Sequence, residues 1–144
     1  MTLMNAAAAI RACYDERLAP FGLSLSTASL LAYVTEFGPV SQTRAAEHLG
    51  QGRAATGAQV DRLEALGLVA RLPDADDRRV WRVAATDAGI ATAARIAECD
   101  AVLRDELRAG ISREDRQQLA RLLVRLQQNL LAAQRCGEHP RTTT

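Results

Sequence analysis

Aromatic residues are almost missing from this chain: one Trp, two Tyr and two Phe make 3% of 144 residues. A core without rings must be built from Leu, Ala and Val. With 48% hydrophobic residues, that composition favours helices packed closely on helices. Lysine is absent altogether, so the 18 basic residues are all arginine. Arginine is the better fork for phosphates and base edges, but a GC-rich genome produces the same bias and is the weightier explanation. Charge of one sign is lacking too. The formal net charge is +1, so the overall balance by itself does not point to nucleic acid.

Cysteine is scarce and scattered. Cys13, Cys99 and Cys136 form no CxxC and have only His48 and His139 for company, which excludes a zinc site of recognisable spacing and argues against a disulfide scaffold. No nucleophile sits in a recognisable elbow and no glycine-rich phosphate loop follows a strand, so an enzyme is the least favoured class and no cofactor or metal is expected. No uninterrupted apolar run reaches the length of a membrane span. The start, MTLMNAAAAIRACYDER, has no basic leader before a long apolar stretch. A soluble cytoplasmic protein is the expectation, of one domain by length.

What the chain does have is helical periodicity at both ends. Leu3, Ile10, Tyr14 and Leu18 form one stripe, stopped by Pro20 and Gly22. Thr86 is placed to cap a long helix carrying Ile90, Ile96, Cys99, Leu103 and Leu107, which ends near Gly110. Ser112, with Asp115 three residues on, makes a variant capping box before Leu119, Leu122, Leu123, Leu126 and Leu130. These helices carry more leucine than a small middle region can cover. An intramolecular bundle would use it, but a two-fold dimer with interlocking terminal helices is favoured. The segments 1–23 and 86–134 are therefore expected to dimerise, and the polar tail 135–144 to be disordered.

The middle, 24–85, steps faster. Ser24 caps LSTASLLAYVTEF, Ser41 caps QTRAAEHL, Gly50-Gln51-Gly52 breaks the chain, and RAATGAQVDRLEAL ends at Gly67. LVARL and VWRVAA then flank an acidic and basic turn, and the period of two in VWRVAA predicts a strand with Trp81, Val83 and Ala85 facing inward. Three short helices and a hairpin make a winged helix-turn-helix. Ala45-Ala46 and Leu49-Gly50 supply the small residues and the turn glycine it needs. The fold class is thus mainly α with a small β-hairpin: a winged helix-turn-helix plus long terminal dimerisation helices.

On a helical wheel, Thr56, Val60 and Leu63 of the third short helix face the core, with Gln59 at the margin. The opposite face carries Ala54, Ala55, Ala58, Asp61 and Arg62. Its alanines suit thymine methyls, but no long polar side chain sits centrally to grip a base edge. Arg53 and Arg62 can reach phosphates or bases, and the helix N-terminus favours an anion. An alanine-rich helix is also simply a stable helix, although Gly57 is a poor choice for stability alone. Gln42 and Thr43, which open the preceding helix, join the expected DNA-contacting set. In the turn, Asp77 and Arg79 are two apart and share one face of an extended strand. The carboxylate can then hold the guanidinium ready for a narrow minor groove, with Arg78 pointing the other way. An exposed ion pair of little energetic consequence is an equal reading on charge alone.

The stretch RLEALGLVARLPDADDRRVWRVAATDAG resembles the wing of the MarR family of transcriptional regulators, through Leu63-Glu64, Gly67-Leu68-Val69, Asp74, Asp77, Arg79, and Thr86 with Gly89. The order of elements is similar from Leu3 to about Ala133. The resemblance implies a homodimer presenting two winged helices to duplex DNA, with Arg79 in the minor groove braced by Asp77 and the helix from Arg53 to Leu66 in the major groove. It implies a repressor released from a pseudo-palindromic operator by a small, often aromatic or phenolic, effector. Tyr14, Arg17 and Tyr33 are the candidate pocket residues. Thr56 and Gln59 depart from the family's aliphatic residues, and Ala58 from its polar or basic one, so readout leans on Arg53, Arg62, the wing and DNA shape. Cys13 lies too far along its helix to match the reactive cysteine of peroxide-sensing relatives, and is read as a small apolar residue rather than a redox sensor. Cys99 is read as core. A winged helix kept as a protein-interaction module, its DNA face degenerate, is the alternative from another class.

Overall fold

The computed structural model describes residues 2–74, 77 and 80–137, the last four by their backbone alone. The chain divides between Arg104 and Asp105 into two compact units. In the first, helix α1 (Leu3–Leu18) opens on Thr2, whose hydroxyl accepts from the Asn5 amide. A single 3-10 turn, Ala19–Phe21, carries Pro20 and leads through Gly22 to α2 (Leu25–Phe37). Two side chains satisfy the first amides of α2. Ser24 Oγ accepts from Thr27 at 3.4 Å, and Asp15 Oδ1 of α1 accepts from Leu25 at 2.6 Å. The carboxylate also meets the positive end of the helix dipole.

Next come β1 (Val40–Ser41), α3 (Gln42–Leu49) and α4 (Arg53–Ala65). Ser41 Oγ caps α3 through the Arg44 amide at 3.2 Å. Gly50 ends it with φ 61° and ψ 35°, a left-handed pose natural to glycine, and so turns the chain into α4. Strands β2 (Val69–Pro73) and β3 (Trp81–Ala85) form the hairpin. The sheet is antiparallel in the order β1-β3-β2, with Val40 opposite Val83 and Pro73 opposite Trp81. Leu30, Leu31 and Val34 of α2, Val60 and Leu63 of α4, and Val40 and Val83 of the sheet are all at or below 2% exposure and form one core.

Trp81 corrects the expected inward face. Val83 is buried and Ala85 packs against the core, but Trp81 is 55% exposed. The alternation holds; the core runs out. β1 pairs with β3 only at Val83 and Arg82, so Trp81 lies on the hairpin beyond the end of the third strand.

Helix α5 (Asp87–Arg108) begins at a tightly bonded junction. Thr86 Oγ1 accepts from the Gly89 amide at 3.0 Å and donates to the Gly67 carbonyl at 2.7 Å, while the Thr86 amide donates to the Leu68 carbonyl at 3.1 Å. The helix start is pressed so close to the turn after α4 that a Cβ at Gly89 would lie 1.9 Å from the Leu68 carbonyl oxygen.

The second unit comprises the end of α5 and α6 (Arg113–Gly137). The expected box is formed: Ser112 Oγ accepts from the Asp115 amide at 3.1 Å, and Asp115 Oδ2 accepts from the Ser112 amide at 3.3 Å. The leucine stripe Leu119, Leu122, Leu123, Leu126 and Leu130 is exposed along α6, as are Leu3 and Ile10 of α1. Among the described residues, no single helix is long and apolar enough to cross a membrane.

The junction predicts that Gly89→Ala destabilises the protein by about 1–3 kcal/mol, because backbone rather than a flexible side chain occupies the space. Denaturant unfolding of the variant beside the parent measures it. An unchanged midpoint would show that the junction yields freely.

Candidate nucleic-acid interface and cavity

Helix α4 is divided lengthwise as the wheel predicted. Thr56, Val60 and Leu63 have 0% exposure, while Arg53, Ala54, Ala55, Ala58, Asp61 and Arg62 are exposed. The polar pair on the inner side is accommodated by hydrogen bonds. Thr56 Oγ1 donates to the Gly52 carbonyl at 3.2 Å, and Gln59 Nε2 donates to Gln51 Oε1 at 2.7 Å. Gln59 Oε1 is buried without a hydrogen-bond partner among the described residues.

Two expected DNA contacts are engaged with the protein itself. Gln42 is half-buried and its Nε2 donates to the Arg53 carbonyl at 3.3 Å, bridging the two helices of the helix-turn-helix. That bridge accounts for Gly57, where a Cβ would stand 3.0 Å from Gln42 Nε2. Glycine there serves packing, and it lends no weight to a functional reading of the alanine face. Arg62 turns back, its Nη2 donating to the Gly22 carbonyl at 3.2 Å. Thr43, Arg53 and the three alanines remain exposed at the start of α3 and α4. Helix α4 begins at Gly52, and among the described residues no side chain caps its first amides.

The acids of α4 are taken up by the wing strand. Arg71 of β2 donates through Nη1 to Glu64 and through Nη2 to Asp61. The Arg71 pKa is raised, first by the Asp61 hydrogen bond and then by the charge of Glu64, against a lowering from burial. A comparable pairing holds the base of the wing. Asp74, 7% exposed, accepts from Arg82 Nε across the hairpin and from the Asp77 amide at 3.2 Å. The Asp74 amide donates to the Val80 carbonyl at 2.8 Å. Arg78 and Arg79, and with them the brace expected between Asp77 and Arg79, lie outside the described residues.

A cavity of 290 Å³ opens between α1, α2 and α5, walled by Leu18, Leu25, Ala28, Ala93, Ile96 and Leu103 among others. Tyr14 and Arg17 line it as expected. Tyr33 does not: it is 6% exposed and stacks on His48 of α3, ring centroids 4.1 Å apart. It faces α3 because it lies on the other side of α2 from Ala28 and Ala32, which do line the cavity. Tyr14 donates to Asp100 Oδ1 at 2.8 Å, and Asp100 also pairs with Arg104 one turn on. Burial raises the Tyr14 pKa first, and the hydrogen bond to Asp100 adds to it. Cys99 forms part of the wall and is half-buried rather than core, and Cys13 is exposed. Among the described residues no cluster of three or more His, Cys, Asp or Glu could hold a metal.

The model of the MarR family matches residues 21–80, from the 3-10 turn to the wing. The transcriptional repressor CouR, solved on a 23-mer DNA duplex, is 30% identical with a TM-score of 0.79, covering 86% of this chain and 88% of its own. The chain belongs to the MarR family. The transcriptional regulator SlyA is similar at 25% identity and TM-score 0.78, over 86% of this chain and 87% of its own. MepR of S. aureus, solved as a DNA complex, is 20% identical and shares the fold at TM-score 0.81, over 88% and 94%. The architecture is thus the winged helix of a MarR-family transcriptional regulator.

Within this family fold, sequence reasoning missed Asp74, Arg82 and Arg71 as the residues that hold the wing. Asp74 enters the sequence reading only as part of the wing motif, without a partner. The signal available was its partner's parity: Arg82 points outward on a strand whose opposite number, Leu72, is two residues from Asp74. Asp74→Ala should cost about 2 kcal/mol, because it leaves Arg82 and the Asp77 amide without this acceptor. Denaturant unfolding reads the loss, and an unshifted midpoint would deny the wing its anchor. For Tyr14, the raised pKa means that its contribution to stability is present below the ordinary tyrosine value of 10.0 and fades as pH rises through the higher folded value. In a phenolate absorbance titration, Tyr14→Phe should remove a step centred above 10.0. Removal of a step at or below it would contradict the bond to Asp100.

Proposed function

We propose that the chain is a homodimeric DNA-binding repressor that leaves a pseudo-palindromic operator when a small, aromatic or phenolic molecule occupies the cavity between α1, α2 and α5. One observation carries the DNA reading. The α4 face bearing Arg53, Ala54, Ala55 and Ala58 is open while its opposite face is fully buried, and the acids beside it are already paired with Arg71. A helix of that kind enters a major groove without presenting unpaired carboxylates to phosphate. The relative solved on a duplex, CouR, supports the same use of the fold.

The readout this face permits is thymine-methyl contact from alanine, anchorage by Arg53, and Arg78 and Arg79 of the wing, with Arg79 entering the minor groove. The exposed leucines of α6 and the apolar start of α1 supply a dimer surface. Two-fold symmetry sets half-sites roughly 34–36 Å apart. The segments 1–23 and 86–134 form the dimerisation region, and 24–85 the reading head.

Binding to fragments of genomic DNA across a salt series tests this. The logarithm of the affinity should fall steeply with the logarithm of salt, with a slope that tracks the phosphates neutralised. Arg79→Ala should lose about 1–3 kcal/mol of operator binding with the dimer intact. Absent or salt-insensitive binding would favour the protein-interaction module instead, for which the thinness of the alanine face is the motive.

A further inference from the structure

The segment from Leu18 to Leu25 begins and ends on the cavity wall and is held from several sides. Leu18 and Leu25 both line the cavity. Between them, the Gly22 amide donates to Ala19 at 2.9 Å and the Leu23 amide to Leu18 at 3.4 Å, which folds the segment into a compact loop. The Leu25 amide is fastened to Asp15 of α1. Phe21 lies under the guanidinium of Arg95 on α5, 5.0 Å from its ring centre. The loop is thus tied to α1, α2 and α5, the three helices that wall the cavity.

The outer side of the loop rests on the reading helix. Arg62 of α4 donates to the Gly22 carbonyl at 3.2 Å. A Cβ at Gly22 would stand 3.8 and 3.9 Å from the Leu66 methyls, so the last turn of α4 lies directly against the glycine. Arg62 and Gly22 are 40 positions apart, and their contact joins the loop between the two wall leucines to α4.

We propose that Arg62 is a positioning residue, which transmits the state of the cavity to α4 by tying that helix to the Gly22 carbonyl. The inference rests on the regulator reading above and adds the route by which the cavity acts. It assigns the Arg62 guanidinium to the protein's own backbone rather than to phosphate. A molecule that spreads Leu18 from Leu25 shifts Gly22, and the bond then either turns α4 or breaks and releases it.

The test needs no knowledge of the effector, because a side chain can stand in for it. Ala97 and Ala32 are exposed residues of the cavity wall, so Ala97→Phe and Ala32→Phe fill it from two sides with little demand on the core. Affinity is measured for a duplex that the parent retains from genomic fragments, in the parent, each filler, Arg62→Ala, and the double variants. Circular dichroism first confirms that each is folded. At least one filler should change affinity by about fivefold or more in the parent background, and by less than about twofold when Arg62 is alanine. Equal changes in both backgrounds, or no change from either filler, overturn the proposal. The salt slope gives an independent reading. Arg62→Ala should keep the parental slope, whereas a slope smaller by about one would place Arg62 on a phosphate and overturn it too. A parent that retains no duplex at all overturns the regulator reading as well, a result distinct from the others.

Discussion

Everything that faces outward in the first unit depends on the backbone junction between Gly67-Leu68 and Thr86–Gly89. There the end of α4, the first residue pair of the hairpin and the first turn of α5 meet within hydrogen-bonding distance of one another. A β-hairpin joined to a helix only at its strand ends can splay about its own axis. Here Thr86 bonds both Gly67 and Leu68, and Gly89 lets α5 approach the Leu68 carbonyl as no other residue would. The end of α4, the base of the hairpin and the start of α5 are thereby fastened at one place. The Arg71 fork to Asp61 and Glu64 closes the same angle from the solvent side, so the junction is braced at its core and at its surface.

Net charge is a poor guide to such a surface, and the reason is visible in the pairings. A chain at +1 has no long-range field to speak of, but Asp61, Glu64, Asp74 and Asp100 each meet an arginine within the fold. These carboxylates are local counter-charges. What a polyanion would meet at the start of α4 is Arg53, open alanines and uncapped backbone amides. A solvated pair within one helix, such as Asp100 with Arg104, adds little stability by itself; what all four share is their effect on which charges remain presented, and in what geometry.

The fold was legible where the signals are local. Four of the helix starts, those of α2, α3, α5 and α6, follow from a hydroxyl and an amide three residues apart: Ser24 with Thr27, Ser41 with Arg44, Thr86 with Gly89, Ser112 with Asp115. The inner face of α4 followed from its period. The illegible parts are contacts whose partners are distant in sequence or whose element is too short to have a period. β1 is two residues long. The Asp74–Arg82 pair spans the hairpin, and Gln42 over Gly57 is a packing event between two helices. Trp81 shows the converse error, because a correct alternation predicts which way a side chain points and not whether a core is there to receive it. At the candidate site, the exposure of Arg53 and the alanines follows from their facing, whereas facing alone does not reveal that Arg62 has an acceptor, Gly22, 40 residues back.

The two flanks of α4 are held with unequal strength, and the inequality says how the helix can move. On the wing side, one guanidinium meets two carboxylates, a charge-assisted and geometrically fixed arrangement. On the side of the loop, one guanidinium meets one neutral carbonyl in an exposed position, worth on the order of 1 kcal/mol net. Coupling between distant sites commonly needs 1–3 kcal/mol, about the strength of one or two such bonds. The weaker flank is therefore the one that a molecule in the cavity would rearrange under the proposed coupling, while the stronger flank keeps the end of α4 beside β2. A rotation of α4 about its wing-side edge changes what it presents to a groove without unmaking the reading head. The weaker flank is the one that meets the loop between Leu18 and Leu25, which is the side the proposed coupling requires.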